Sequence, residues 1–420
     1  MGSTKDLVRD DSSAGRLYQA PEPHKFGFGV WKVSGRFSVA DMKGLIPKSE
    51  IPQKHHVLAM TAARYLEAAA GEGLPSCYVG MLDSEGNVVD TVTLLDRGEL
   101  SDLVVMKLAN TPRDHSAGAL EEYHRDIKKD DVTVYVADAE SIFRAGFPLG
   151  SSSFKRMFEL AGRKGEYEGL STYRETVSGL DRIRTDIAER GMGAFPGLGD
   201  YLSELGLSQV PNPGAVTRGT VSNFTTKFAV GGDEDITDEV ARVRMGLGDR
   251  EYAEWKNMAR RDAAHQRAYC QDKGLFNLDG KVEAVVAAGC PVFGDFACTV
   301  DENRLMLPYM EGESGIWLIP SNKEIQRAVF RAGGIYTARD QAKERHGDDW
   351  HSHLYEFIDR RVVEEATRDS IDMMAAAIGT VGNKLLGHKV FEARPLQEWV
   401  GPFLPYASKL EEVESRLDPR

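Results

Sequence analysis

The sequence predicts an α+β fold that combines antiparallel sheets with a helical C-terminal part. Two observations support this fold class. Several short apolar runs separated by turn signals occupy the first third of the chain, and mainly helical patterns fill the last third. At 420 residues the chain is long enough for two lobes, which is the arrangement we expect.

The candidate strands are short runs of apolar, β-branched and aromatic residues bounded by turn-forming residues. They cover residues 77–82, 88–95, 103–108, 132–137 and 223–228, and residues 139–147 continue in extended form. Residues 26–39 (FGFGVWKVSGRFSV) predict a strand–turn–strand. A glycine-bearing hairpin and a strand that approaches a nucleotide both fit that segment.

The candidate helices have apolar residues that recur at intervals of three and four. They cover residues 55–70, 251–272, a helix that starts near Asn322, Lys323 and Glu324, and most of 348–386. Residues 339–347 are polar and are expected to be mobile, and short helices and loops are expected after residue 386.

One segment, residues 279–304 (DGKVEAVVAAGCPVFGDFACTVDENR), has the pattern of a β-hairpin with a turn at Gly289 to Pro291. Glu283 and Asp295 are then expected at one mouth of the hairpin, with Lys281 on the same face as Glu283. Two carboxylates suit Mg²⁺, and a nearby lysine suits phosphate. An ordinary cross-strand ion pair is the alternative.

A second segment, residues 148–157 (PLGSSSFKRM), combines a glycine and three serines with two adjacent basic residues. Hydroxyl and backbone donors beside positive charge suit an anion such as phosphate. A flexible serine-rich turn is the alternative.

Composition excludes several classes of protein. The net charge of −13, with basic residues in mixed-sign clusters, argues against nucleic-acid binding. No apolar run approaches the roughly 18 residues of a membrane span, and the N-terminus lacks the apolar core of a secretory signal. Four scattered cysteines indicate buried apolar side chains in a reducing compartment, so a cytoplasmic protein is expected. The ten histidines show no HExxH-type spacing.

Five motifs follow one another along the chain: SGRFSVAD with IPQK, ESIFRAGFPLGSSSFKR, TTKF, LDGKVE and FGDFACTVDENR. Together they resemble the phosphoribosylaminoimidazole-succinocarboxamide synthase (SAICAR synthetase) family, and its archaeal-like branch more than the short bacterial one. The bacterial pattern DxKxEF…GDExxPDxSR is similar to DGKVEA…GDFACTVDENR in this chain. The resemblance runs from about residue 31 to near residue 400.

The resemblance implies a two-lobed fold related to ATP-grasp and kinase-like nucleotide sites. It also implies an ATP-dependent carbon–nitrogen ligase of purine biosynthesis that uses ATP and Mg²⁺. The reaction would join the carboxylate of carboxyaminoimidazole ribotide to the amine of L-aspartate through an acyl phosphate. Such chemistry needs a metal and a lysine beside the phosphoryl group, and arginines and oriented amides around the anionic substrates.

The resemblance assigns roles to residues of this chain. The implied metal ligands are Glu283 and Asp295. The implied ATP-binding residues are Lys32, Glu140, Lys227 and Lys281, with Lys25 as an alternative to Lys32. The implied substrate-binding residues are Asp41, Arg144, Ser151, Ser152, Arg156 and Arg304. The implied catalytic residues are Lys281, Asp279 and Asp301, and an aspartate of the pocket would take the proton from the amine.

The expected domains are a flexible leader (1–24), an N-terminal β-rich lobe (25–136), a C-terminal ATP- and substrate-binding lobe (137–400) and a tail (401–420). Residues 163–219 are expected to be an insertion in the second lobe. Two departures from the family pattern put the acceptor substrate in doubt. Ser34-Gly35-Arg36 stands for the family's TDR, and Phe296 stands for the second acid of its GDE motif.

Three functions are therefore open. The first is the purine-pathway enzyme, which the basic residues Arg144, Lys155, Arg156 and Arg304 favour. The second is a paralogous ATP-dependent ligase of specialised, nucleoside-antibiotic-like metabolism that joins an amino acid to another heterocyclic carboxylate. The third is an inactive binding protein of this fold, which the presence of the metal ligands and Lys281 disfavours. The expected partners are small molecules, without nucleic acid or membrane, and the oligomeric state is open, a homo-oligomer included.

Overall fold

The structure is a computed structural model that describes residues 8–11, 15–19, 28–36, 50–109, 116–127, 134–146, 216–227, 234–287, 289–310 and 316–415. Within these residues the strands form three sheets, and every pair of neighbouring strands is antiparallel. The strands are β1 (Val8–Asp11), β2 (Gly15–Gln19), β3 (Phe28–Val33), β4 (Tyr78–Leu82), β5 (Val88–Val89), β6 (Leu103–Lys107), β7 (Val134–Gly146), β8 (Val216–Thr225), β9 (Asp235–Ile236), β10 (Phe276–Asn277), β11 (Asp279–Ala287), β12 (Cys290–Phe293), β13 (Leu305–Met310) and β14 (Ile316–Pro320).

The helices lie mostly in the second half of the chain. They are α1 (Lys54–Gly71), α2 (Thr91–Asp96), α3 (Ala117–Ile127), α4 (Asp238–Arg244), α5 (Asp249–Gln271), α6 (Lys323–Ala332), α7 (Ile335–His346), α8 (Trp350–His353), α9 (Arg360–Leu386) and α10 (Leu396–Ser415). Short 3₁₀ turns at Gly347–Asp349 and Leu354–Glu356 flank α8. The predicted antiparallel sheets and helical C-terminal part are therefore confirmed.

The five-stranded sheet is central to the argument that follows. Its order is β12-β11-β7-β8-β9, so the long strands β7 and β11 are neighbours in its interior. The β7–β11 register pairs Glu140 with Glu283 and Ile142 with Lys281. The predicted hairpin is confirmed as β11 and β12, although Cys290 and Pro291 belong to the second strand and the turn comes before them.

The other two sheets are a six-stranded sheet of order β1-β2-β3-β6-β4-β5 and a three-stranded sheet of order β10-β13-β14. Backbone hydrogen bonds join the six- and five-stranded sheets, because Cys77 N–H donates to the Phe293 carbonyl and Phe293 N–H to the Pro75 carbonyl. One continuous core of buried residues runs through the sheets and helices. Trp255 of α5, fully buried, packs edge-to-face on Phe293 of β12 in that core.

Local signals explain where several helices begin. Thr237 accepts a hydrogen bond from Val240 N–H at the start of α4, which is the usual role of a threonine N-cap. Asn322 accepts one from Glu324 N–H at the start of α6. Asp90 accepts one from Thr93 N–H, which starts α2.

Some predictions about elements are wrong. Residues 88–95 do not form one strand, because the Asp90 cap turns the chain into α2 after two residues of β5. Residues 339–346 belong to a helix that the sequence does not predict, α7 (Ile335–His346), and their mobility stays a prediction. The end of the chain contains the 20-residue helix α10, where the sequence predicts short helices and loops. Residues 28–33 form one strand, whereas 37–39 lie outside the described residues. Cys290 is exposed, although the other three cysteines are buried.

The proposed domain boundaries stay predictions. Strand β7 crosses the boundary expected at residues 136 and 137, and α10 crosses the one at residues 400 and 401. Apart from β8, which begins at Val216, the predicted insertion at 163–219 lies outside the described residues. None of the helices in the described part of the chain is long and apolar enough to cross a membrane.

Candidate active site

The site is built around two glutamates that face each other across neighbouring strands. Glu140 of β7 and Glu283 of β11 are directly paired in the register, and both are buried. Like charges at such a position are destabilising unless a cation lies between them. Lys281 supplies that cation: its Nζ lies 2.7 Å from Glu283 Oε1 and 3.3 Å from Glu140 Oε2.

A second lysine approaches from the strand on the other side of β7. Lys227 follows β8, and its ammonium forms an ion pair with the second carboxylate oxygen of Glu283. Thr225, at the end of β8, donates a hydrogen bond of 3.1 Å from its hydroxyl to Glu140 Oε1. The predicted TTKF motif therefore reaches the same two glutamates as Lys281.

Asp295 lies in the loop after β12 and lines a small cleft together with Lys281, Glu283 and Phe296. Its Oδ1 accepts a hydrogen bond of 2.7 Å from Phe296 N–H, and Gly294 N–H donates to the Glu283 carbonyl. The Phe296 ring meets Trp31 of β3 edge-to-face at 6.4 Å between centroids. Phe296 thus makes an apolar contact with β3 at the position where bacterial members of the resembled family have a second acid.

Glu302 completes the cluster. Its Oε2 lies 3.1 Å from Lys281 Nζ, so this lysine contacts three carboxylates at once. Four acidic side chains (Glu140, Glu283, Asp295 and Glu302) then surround two lysines, which leaves a formal excess of two negative charges when all are ionised. That excess, and the oxygen-only donor set, suit a divalent cation such as Mg²⁺.

The neighbouring part of the site is an arginine between two buried acids. Arg304 Nη1 lies 3.2 Å from Asp279 Oδ1, and Arg304 Nε lies 3.2 Å from Glu324 Oε1. Arg327, one turn further along α6, also reaches Glu324 Oε1 at 2.5 Å. The backbone adds to this contact, because Arg304 N–H donates to the Asp279 carbonyl.

Asp301 pairs with the first residue of α1. Lys54 Nζ lies 2.7 Å from Asp301 Oδ2 and donates to the Arg36 carbonyl at 2.7 Å. The Lys54 side chain is only 1% exposed, whereas that of Asp301 is 32% exposed. The lysine of the IPQK motif therefore fixes Asp301 while leaving its carboxylate partly open to solvent.

A polar network inside the fold holds the loop that carries Asp301 to Arg304. Asn303 donates from its side chain to Gln266 Oε1 at 2.6 Å, and its carbonyl accepts from Asn322 at 2.7 Å. Gly280 leaves room for this asparagine, since a Cβ at that position would lie 2.2 Å from Asn303 Nδ2. Local packing therefore requires the glycine of the LDGKVE motif.

The charges shift the ionisation of these groups in different directions. Burial lowers the pKa of Lys281, but the carboxylates of Glu302, Glu140 and Asp295 outweigh it and hold that pKa above the ordinary lysine value. Burial also dominates at Lys227, where it lowers the pKa. At Glu302 burial raises the pKa, and the nearby Asp295 and Asp301 raise it further.

Lys323, at the start of α6, has a lowered pKa because of burial and then because of the like charge of Arg304. The pKa of Glu324 is lowered. Burial alone would raise this pKa, but the positive charges of Arg327 and Arg304 lower it by more. The pKa values of Lys227, Lys323 and Glu302 are shifted in the direction that favours proton transfer, so these three groups are candidates for general acid–base roles.

The structure brings together many of the residues that the sequence singled out. One group comprises Glu140, Lys227, Lys281, Glu283 and Asp295, and the adjoining group comprises Asp279, Arg304 and Asp301. Arg144 is opposite Asp279 in the β7–β11 register. Asp41, Ser151, Ser152 and Arg156 lie outside the described residues, as does Lys25.

Lys32 is not brought to this group. It is exposed on β3, and its side chain points to the opposite face of the strand from Trp31, whose ring contacts Phe296. Its role in ATP binding stays a prediction without support from its position.

Sequence reasoning missed Glu302, Lys323 and Glu324 as site residues, and noted Lys54 only as part of a motif. Glu302 adjoins the predicted Asp301 and occupies a position that varies in the resembled pattern, so the motif gave no reason to select it. The sequence gives no sign that Glu324 is buried beside Arg304, because this contact depends on how α6 packs against the 301–304 loop. The acidic run DEN before Arg304 was the one available signal.

Comparisons with known proteins give a result at the level of structure. No protein-family model matches the sequence, and no curated protein matches it. The solved structure of SAICAR synthase from Saccharomyces cerevisiae complexed with SAICAR matches with a TM-score of 0.50 and 14% identity, over 91% of this chain and 95% of that chain. A further SAICAR synthase structure matches with a TM-score of 0.50 and 12% identity, over the same shares of the two chains.

This chain has the SAICAR synthetase fold. The match extends over nearly the whole length of both chains, so the fold covers the sheets as well as the helical C-terminal part. The predicted SAICAR synthetase-like fold is thus confirmed, while the archaeal-like branch stays a prediction. At identities of 12% and 14%, these matches establish the SAICAR synthetase fold but do not identify the substrates of this chain.

Proposed function

We propose that this protein is an ATP-dependent ligase that forms an amide between the carboxylate of carboxyaminoimidazole ribotide and the amine of L-aspartate, through an acyl phosphate, in purine biosynthesis. The observation that carries the proposal is the pair Glu140 and Glu283, which face each other and hold Lys281 and Lys227 beside Asp295. Buried carboxylates and lysines gathered at one place in the fold, with shifted pKa values at both lysines, are typical of a functional site.

ATP and Mg²⁺ fit this cluster. Glu283 and Asp295 would hold the metal, because hard oxygen donors and the excess negative charge suit Mg²⁺. Lys281 and Lys227, which pair with these carboxylates, would contact the phosphates of ATP. When bound, MgATP supplies the phosphoryl group that activates a carboxylate, which does not condense with an amine in water on its own.

The acceptor side of the proposed site is the part that contains Asp279, Arg304 and Asp301. Arg304 carries a positive charge in a buried setting, and Lys54 holds Asp301 in one orientation with part of its carboxylate exposed. Arg304 would bind an anionic group of the ribotide, and Asp301 would bind the ammonium of the amino acid. We include in the proposal the sequence-derived substrate residues Asp41, Arg144, Ser151, Ser152 and Arg156.

The amine must lose a proton before it attacks. Glu302 is suited to accept it, since burial and neighbouring acids raise its pKa and its carboxylate lies beside Lys281. We therefore add Glu302 to the aspartates of the pocket as a candidate proton acceptor.

A second candidate function is the paralogous ligase that uses another heterocyclic carboxylate or another amino acid. The specific observation in its favour is Phe296, which stands where the resembled pattern has an acid and whose ring packs on Trp31. This change lies beside Asp295, where it can alter which substrate is accepted.

A substrate panel tests the proposal. Purified protein with ATP, Mg²⁺ and L-aspartate should release ADP only when carboxyaminoimidazole ribotide is added, because activation requires the acceptor carboxylate. ADP release and amide formation are measured with this ribotide and with other heterocyclic carboxylates and amino acids. Turnover with a different acceptor and none with this one would select the paralogous ligase, and absence of ATP binding would remove both.

A further inference from the structure

A cluster of two histidines and a glutamate lies at the end of α7, on a different part of the fold from the candidate active site. His346 is the last residue of α7, His353 is the last residue of α8, and Glu356 ends the 3₁₀ turn that follows. One ligand atom from each of the three lies within 4.8 Å of the other two. The three side chains are partly exposed, at 22%, 34% and 46% respectively, so an ion from solvent can reach them.

The two imidazole rings are oriented toward one carboxylate. They stack almost parallel, with 3.8 Å between centroids and 4° between planes. His346 Nε2 lies 3.1 Å from Glu356 Oε2, and His353 Nδ1 lies 2.5 Å from Glu356 Oε1. Each ring thus turns one nitrogen toward the same carboxylate. A metal ion lies in the plane of each imidazole that it binds, so the two stacked rings would tilt apart to share one ion.

The other nitrogen of His353 has its own acceptor. His353 Nε2 lies 3.4 Å from Asp349 Oδ2, and Ser352 donates from its hydroxyl to Asp349 Oδ1 at 3.1 Å. A carboxylate that takes the N–H of a ligating histidine fixes the tautomer and leaves the opposite nitrogen free for metal. Without metal, His353 Nδ1–H donates to Glu356 Oε1. With a metal bound, Asp349 would hold the remaining proton on Nε2, so that the Nδ1 lone pair faces the ion.

The backbone that presents these residues is fixed by a sharp turn and by buried anchors. Gly347 has φ 57°, which reverses the chain directly after His346 and is a conformation that favours glycine. Trp350 and Leu354 between the ligands are buried, and Lys343 Nζ lies over the Trp350 ring at 5.2 Å. The ligands are therefore held by the fold rather than carried on a loop without contacts.

We infer that His346, His353 and Glu356 form a binding site for a divalent transition-metal ion of the zinc class, positioned by Asp349. Two imidazole nitrogens and one carboxylate suit Zn²⁺, Co²⁺ or Ni²⁺ and do not suit Mg²⁺, which prefers oxygen ligands. Around tetrahedral zinc the ligand atoms would lie about 3.3 Å apart. The two histidine nitrogens, at 3.1 Å and 2.5 Å from the Glu356 oxygens, would therefore move slightly away from that carboxylate as the ion enters between them. A fourth position stays open for water, and the bound ion cross-links the end of α7 to the segment after α8.

The test uses the full chain, stripped of metal, and Zn²⁺ as the titrant in excess Mg²⁺ and without nucleotide. The Mg²⁺ occupies oxygen-only sites, so calorimetry reports the nitrogen-containing site. We expect one Zn²⁺ per chain, and Co²⁺ should give the visible absorption of a tetrahedral complex. His346→Ala, His353→Ala and Glu356→Gln should each remove this binding, whereas Asp349→Asn should weaken it about 10-fold.

His388→Ala is the matched control, because His388 is exposed and lies in the turn after α9. It should bind Zn²⁺ as the unchanged protein does. Far-UV circular dichroism checks that every variant is folded, and a rise in melting temperature on adding Zn²⁺ should occur only in chains that retain all three ligands. Absence of stoichiometric binding in the unchanged protein, or equal binding by His346→Ala and His388→Ala, would overturn the proposal.

Discussion

At the scale of single residues, Asp262 shows how strongly the fold can change the chemistry of one side chain. It lies on α5, is fully buried, and accepts hydrogen bonds from Tyr65 at 2.5 Å and from Gln266 at 2.7 Å. Burial raises the pKa of Asp262 from 3.8 to about 6, although the two hydrogen bonds oppose the rise. The unfolded chain would ionise this carboxyl near pH 4, and the folded chain keeps its proton to about pH 6.

The sign of the effect on stability follows from this difference. Between about pH 4 and pH 6 the folded state binds more protons than the unfolded state, so the free energy of unfolding falls as the pH rises. The stabilisation is complete below pH 4 and is lost above pH 6, a change of about 3 kcal/mol. Asp262→Asn has no proton to lose and should show no such fall. Urea unfolding of both proteins from pH 4 to pH 7 measures the difference.

Glu254→Gln serves as the control, since Glu254 is an exposed residue of the same helix. Its pH profile should run parallel to that of the unchanged protein. Parallel profiles for Asp262→Asn and the unchanged protein would mean that Asp262 ionises normally in the fold.

At the scale of elements, helix α9 packs closely against the chain that follows it. Gly379 and Gly382 lie where residues 391–393 cross the helix, and a Cβ on Gly379 would lie 2.0 Å from the Glu392 carbonyl oxygen. Asn383 holds the crossing chain, because it donates to the Phe391 carbonyl and accepts from Val390 N–H. Gln53, immediately before α1, accepts from Glu392 N–H and so joins this crossing to the first helix.

Gly379→Ala should therefore destabilise the protein, because backbone atoms cannot yield to the added methyl group as a flexible side chain can. We expect a loss of about 2 kcal/mol or more in the free energy of unfolding. The matched control is Gly118→Ala in α3, where nothing lies within 4 Å of the added Cβ. That change should stabilise by up to about 1 kcal/mol through helix propensity. Denaturant unfolding measures both, and equal effects would contradict the close crossing at Gly379.

At the scale of the whole molecule, the candidate site gathers residues from elements that are distant in sequence. Glu140 comes from β7, Glu283 from β11, Lys54 from α1 and Glu324 from α6. These elements share one continuous core. A ligand that binds here therefore contacts parts that must all be folded, so its binding free energy should add to the stability of the chain.

Under the proposed function, ATP with Mg²⁺ should raise the melting temperature, and at 100 times Kd the stabilisation should be about 2.7 kcal/mol. Asp295→Asn should lose the Mg²⁺-dependent part of this rise, because one proposed metal ligand is gone, while its melting temperature without ligand changes little. Thermal unfolding with ATP alone and with ATP and Mg²⁺ separates the two contributions. Glu254→Gln should respond like the unchanged protein, and an equal response by Asp295→Asn would refute the metal assignment.

The sequence by itself determined the class of fold, and it predicts the type of chemistry. Alternation and turn residues indicated the β11–β12 hairpin, and periodicity indicated α1, α5 and α9, because these signals depend on neighbours along the chain. The same alternation put Lys281 and Glu283 on one face, as the structure confirms. Where one local signal overrode another, as with the Asp90 cap inside an apolar run, the sequence interpretation was wrong.

Only the tertiary structure decided which charges meet. Glu140 faces Glu283 because of strand register, and Lys54 reaches Asp301 because α1 begins beside the loop after β12. Glu302 joins Lys281, and His346 meets His353 across the turn at Gly347, through folding that no spacing rule in the sequence expresses. The physical reason is that hydrophobic patterning fixes each element and its buried face, whereas register and packing between distant elements fix the distances at which charged groups and metal ligands act.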